Sequence, residues 1–138
     1  MVSAPAIPET VTVIDRAYMG CSSLLVAPDI PDSVISVQYA FADCTSLTSL
    51  RHISKNIEYI QSAFENCKDL TGTFTFSGNK LLGYSDTKRA FDGTEKAITI
   101  VNRDGAWDEN GFYYVAGGNW DLSGGNVHVV GADGSSIN

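Results

Sequence analysis

The segment Ala40-Phe41-Ala42-Asp43-Cys44-Thr45-Ser46-Leu47 constrains this chain more than any other feature, because it is written four times. Ala17-Tyr18-Met19-Gly20-Cys21-Ser22-Ser23-Leu24 precedes it by 23 residues, Ala63-Phe64-Glu65-Asn66-Cys67-Lys68-Asp69-Leu70 follows it by 23, and Ala90-Phe91-Asp92-Gly93-Thr94-Glu95-Lys96-Ala97 comes 27 later. Self-similarity at a short fixed period is the signature of a repeat architecture, in which one unit cannot bury its apolar edge alone and stacking makes a continuous core. The register extends beyond the corner. Val11, Val34 and Ile57 share a column, as do Ile7, Ile30, Ile53 and Phe76, with Pro8, Pro31, Ser54 and Ser77 next to it.

Each unit therefore reads as a strand beginning at Leu, a turn near Pro or Ser, a second apolar piece, and the Ala-aromatic corner. The strands are expected over 24–30, 47–53, 70–76 and 97–102. Alanine suits a tight corner where a larger side chain would push neighbours apart. Phe41, Phe64 and Phe91, with Tyr18 as the polar variant, are expected to supply most of the buried area. The corner itself is too short for an independent helix and fits a single helical or 3₁₀ turn.

Three cysteines, Cys21, Cys44 and Cys67, occupy one repeat position, which points to a packing column rather than a disulfide framework. No Cys-x-x-Cys pair provides zinc-ligand spacing, and no Gly-x-Ser-x-Gly elbow or phosphate loop is present. The acidic cluster 104–111 does not have the spacing of a calcium loop and reads as a turn. No catalytic residue, metal site or cofactor is expected. The formal charge of −7 argues against nucleic acid as a partner. No apolar run approaches the roughly 20 residues of a membrane span, so membrane insertion is not expected. Residues 1–8 have neither a basic stretch nor a long apolar run, so they are not expected to act as a secretory signal. Either a signal has been removed or the protein is used without one.

The fourth unit departs from the pattern. Four extra residues lie between Ser77 and Ala90, and Thr94 or Glu95 stands where Cys would. Beyond residue 102 the repeat is lost. Residues 103–111 read as turns, 112–116 and 127–130 as strands, and 131–138 as a mobile tail. The expected organisation is thus mainly β: a short solenoid of about four 23-residue coils over 1–102, and a β-rich capping or attachment segment over 103–138. Candidate binding residues are Thr48, His52, Tyr84, Trp107, Tyr113, Tyr114 and Trp120. The aromatic set among them reads either as a capping core or as a binding platform, since Trp and Tyr are enriched at binding hot spots. His52 and His128 are read as solvated strand or loop positions.

The Ala-Phe-x-x-Cys-x-Ser-Leu-Thr units, with Ile30-Pro31-Asp32-Ser33-Val34 between them, resemble the BspA-type leucine-rich repeat over residues 5 to about 100. The resemblance implies a curved solenoid without catalytic residues, displayed on a bacterial surface or a virion and used for adhesion or assembly. It transfers no ligand-binding positions. Two roles are expected on this basis. One is a phage virion component of fibre or decoration type, partnered by other virion or surface proteins. The other is a secreted bacterial cell-surface adhesin that binds host protein or glycan. Free cysteines and the missing export signal favour the first. An open end of the stack makes a homo-oligomer a further expectation.

Overall fold

A computed structural model describes residues 3–77, 80, 87–103, 106–107, 113–114 and 127–131. The chain is strand-dominated and builds from parallel pairing between segments one repeat apart. Strand β1 (Val26–Ala27) pairs with β2 (Ser49–Leu50) in parallel, with Val26 opposite Ser49. Strands β3 (Gly72–Phe76), β4 (Ile98–Asn102) and β7 (Val127–Gly131) form a parallel sheet in the order β3-β4-β7. Ser3 bridges to Val26, and the Thr71 amide donates to the Thr48 carbonyl at 3.1 Å, which joins the two sheets into one ladder. A second ladder runs through Val13, Ser36 and Tyr59, again in steps of 23. The short β5 (Ala106–Trp107) and β6 (Tyr113–Tyr114) pair antiparallel.

The first two strands are shorter than the sequence suggests. At their start, the amides of Leu24 and Leu47 are already committed to Cys21 and Cys44 within the turn, and directly after β1 Pro28 has no amide to give. Residues 103–111, expected as turns, contain β5, because the Tyr113–Tyr114 segment supplies a pairing edge that local composition does not reveal. Strand β7 stands where a strand is expected and carries an exposed His128. The insertion 78–86, apart from Lys80, and the tail 132–138 lie outside the described residues.

The core follows the repeat columns. Leu24, Leu47 and Leu70 are fully buried, as are Phe41, Phe64 and Phe91. The rings stack with near-parallel planes along the axis, Tyr18 to Phe41 at 5.2 Å, Phe41 to Phe64 at 5.6 Å and Phe64 to Phe91 at 5.3 Å between centroids. Such stacking adds to area burial at separations of this size. Phe74 of β3 also packs against Phe64 and Phe91, so Phe64 touches three other phenyl rings.

The corner is not a 3₁₀ helix, because its amides alternate in destination. Those of Ala40, Ala42 and Cys44 donate three residues back within the unit, to Val37, Tyr39 and Phe41. Those of Tyr39, Phe41 and Asp43 donate to Gln61, Ala63 and Glu65 of the next unit, at 3.0, 2.9 and 2.8 Å. The same alternation sends Arg16, Tyr18 and Gly20 to Gln38, Ala40 and Ala42, and Ser62, Phe64 and Asn66 to Lys88, Ala90 and Asp92. In the first three corners a left-handed residue stands at each end of the redirected amides, Arg16, Tyr39 and Ser62 at the start and Gly20, Asp43 and Asn66 at the end, and the fourth corner keeps both positions in Arg89 and Gly93. The closing column uses the residues that tolerate this conformation best. The insertion therefore leaves the fourth turn in register.

Candidate binding surface

Polar side chains inside the stack are used to join units. The Cys44 thiol donates to the Tyr18 carbonyl and the Cys67 thiol to the Phe41 carbonyl, each at 3.0 Å and each one unit back. All three cysteines are free thiols, and burial pushes Cys44 up to about 11 and Cys67 higher still. They are packing groups, as a low-pKa reactive thiol would need the opposite environment. In the fourth unit Thr94 takes the cysteine position, buried, with its hydroxyl donating to Phe91 of its own unit at 2.7 Å. Ser54, which replaces the proline of its column, is buried and donates to the Val34 carbonyl at 2.7 Å.

Chemistry free to meet a partner lies in the outward columns. Two contiguous shallow depressions open on the first three units and share Ala6 and Asp29. The first, about 530 Å³, includes Glu9, Asp29, Asp32 and His52 in its wall; the second, about 570 Å³, includes Ser3, Val26, Ser49 and Arg51. Ala6, Asp29 and His52 are successive members of one column, and Glu9, Asp32 and Lys55 of another. The groove therefore takes carboxylates from its first two units, and Arg51 and His52 from the third. Asp32 ties the halves together: its carboxylate accepts from the Lys55 amide at 3.0 Å and lies 3.1 Å from His52 Nε2, while its carbonyl accepts from Asn56 Nδ2 at 2.7 Å. The Lys55 amide first, and His52 second, hold the Asp32 carboxyl below the usual carboxylate range. Arg103 extends the basic side, its guanidinium donating to the Lys55 carbonyl.

Of the residues singled out in the sequence, His52 lies in this groove. Thr48 is exposed one column away from Ser49 but is occupied, its hydroxyl donating to the Leu25 carbonyl at 3.0 Å. Trp107 and Tyr113 are directly opposed in the β5–β6 pair, with Ala106 opposite Tyr114, so three of the aromatic candidates share one antiparallel ladder. Tyr84 and Trp120 lie outside the described residues. Asp29, Asp32 and Arg51 were missed by sequence reasoning, although column position was a usable signal: an exposed column that changes from Asp to His or from Asp to Lys contributes nothing to the core. No group of three or more His, Cys, Asp or Glu side chains suited to a metal ion occurs among the described residues.

The sequence model of the BspA type leucine-rich repeat region matches residues 2–105 in six copies. The chain belongs to this family. Counted by the Ala-aromatic corner, the same span holds four units, and the columns that define them are those of the buried stack. As a BspA-type leucine-rich repeat chain it is a mainly β repeat protein of the kind that takes part in protein binding or surface adhesion. No curated protein and no solved structure is significantly similar to it. Among the described residues no helix is long and apolar enough to cross a membrane.

Proposed function

We propose that this BspA-type chain is a non-enzymatic binding and assembly module, a short solenoid of about four coils over 1–102 with a β-rich closing or attachment segment over 103–138. The observation that carries the reading is the charge-divided groove, in which Asp29 and Asp32 face Arg51 and His52 across successive units. An open surface of this kind suits a polar, extended partner better than a small enclosed ligand. The favoured setting is a phage virion appendage of fibre or decoration type, with other virion proteins or a host-surface protein or glycan as partner. Three unpaired thiols suit a chain that folds in a reducing compartment.

The second reading is an extracellular bacterial cell-surface adhesin, which the same family supports. The two separate on genetic context. A reading frame between capsid or tail genes supports the virion role; an export signal on the full-length gene product establishes the adhesin. Binding itself is tested by probing a glycan array and immobilised host-surface protein with the wild type and an Arg51→Ala, His52→Ala double variant. A ligand retained by the wild type and lost by the variant is the expected result. Equal retention by both removes the groove from the account.

A further inference from the structure

Equivalent positions differ sharply between the two ends of the stack. In the second unit Val34, Ala40, Phe41, Ala42 and Cys44 are buried. In the first unit their column partners are not: Met19 is 47% exposed, Ala17 is exposed, and Val11, Tyr18 and Cys21 are only partly covered. Val13, whose partner Ser36 is buried, is 52% exposed. At the other end Ala90 and Phe91 are fully buried. One end of the ring column is covered and the other is open.

The open edge also has unmet backbone groups of a definite pattern. Ser36 directs both its amide and its carbonyl toward the first unit, to the Thr12 carbonyl and from the Ile14 amide. Val13, its column partner, accordingly directs both groups outward, and neither has a partner among the described residues. The carbonyls of Asp15, Ala17 and Met19, whose counterparts Gln38, Ala40 and Ala42 each accept an amide, lie on the same edge without a donor among the described residues. The two charged side chains that follow Val13 are engaged within the chain, the Asp15 carboxylate by Ser36 Oγ and the Gln38 amide, and the Arg16 guanidinium over the Tyr39 ring.

We propose that this edge pairs with a second copy of the chain about a two-fold axis at Val13, an interface independent of the groove and its ligand. A row of acceptors cannot pair with its own copy, but a residue with amide and carbonyl on one edge can exchange both with itself in an antiparallel hydrogen-bonded pair. Val13 is that residue. A two-fold contact uses the same surface on both partners and closes at two copies. Head-to-tail stacking would need the far side of the fourth unit, where Phe91 is already covered. Around the axis, Val11, Val13, Tyr18 and Met19 supply the apolar surface.

Light scattering and sedimentation of the full chain over a concentration series test this. The expected result is a dimer that dissociates on dilution. Val13→Pro removes the edge amide and Met19→Glu places a charge beside the axis, and each is expected to raise the dimer dissociation constant by about tenfold or more. Far-UV circular dichroism checks that each variant is folded, and Met19→Glu, at an exposed position, decides the matter if Val13→Pro does not fold. A monomer at every concentration overturns the proposal, as does growth beyond two copies or a dimer that Met19→Glu leaves unchanged. Loss of groove binding in the Arg51→Ala, His52→Ala variant with the dimer intact separates the two interfaces.

Discussion

The Cys67 thiol donates to the carbonyl of Phe41, 26 residues earlier and one unit back, at 3.0 Å. The same carbonyl already accepts the Cys44 amide at 3.1 Å. Cys67→Ala therefore removes a bond and a buried sulfur without orphaning the acceptor. A loss of roughly 1–2 kcal/mol is expected in urea unfolding. A loss near zero would mean that the thiol column does not hold the units together.

The buried thiols also set an alkaline limit. Burial raises Cys44 from its ordinary 9.0 to about 11 in the folded chain, and Cys67 moves in the same direction. Above pH 9 the unfolded chain releases protons that the folded chain keeps, so stability present in full below pH 9 falls as pH rises toward 11. Melting temperatures across this range should fall less steeply in a Cys44→Ala, Cys67→Ala variant. Thiol labelling at pH 8 should modify Cys21 well before the other two.

Phe64 stacks on Phe41, Phe91 and Phe74. Phe64→Ala is expected to cost about 3–5 kcal/mol, whereas Tyr18→Ala, at the open end and with one ring neighbour, costs clearly less. Equal losses in denaturant titration would contradict the stack as drawn.

Gly20 and Gly93 both close turns with left-handed backbone, at φ of 77° and 79°. A β-carbon on Gly20 meets nothing within 4 Å, while one on Gly93 would stand 3.2 Å from Asn66 Cα and closer still to its side-chain oxygen. Gly20→Ala is expected to cost about 1 kcal/mol from conformation alone. Gly93→Ala should cost more, and the difference between their melting temperatures measures the contact between the third and fourth turns.

Asp32 titrates below its ordinary 3.8, chiefly because it accepts the Lys55 amide and secondarily because of His52. Its charge-dependent contribution is present above the ordinary value and is lost as pH falls through the lowered one. An NMR titration of His52→Ala should therefore recover part of the depression and leave the part due to the Lys55 amide. Full recovery would assign the effect to the imidazole instead.

The amino-acid sequence by itself determined the period, the buried columns and the four corners, since periodic side chains can share one core only by stacking. The closing ends of the turns, at Gly20, Asp43, Asn66 and Gly93, carry residue types that tolerate left-handed backbone, a signal that sequence reasoning missed. The opening ends, at Arg16, Tyr39, Ser62 and Arg89, left no trace in residue type; in the first three their own amides bond to the next unit, a tertiary contact. Cys44 was recognisable as packing, but its bond to Tyr18 was not. His52 could be picked out, whereas its juxtaposition with Asp32 and the pairing of Trp107 with Tyr113 belong to tertiary structure alone. A repeat pattern specifies which side of the chain is buried. Which outward groups meet depends on how far each unit is displaced from the last, and only the folded stack sets that distance.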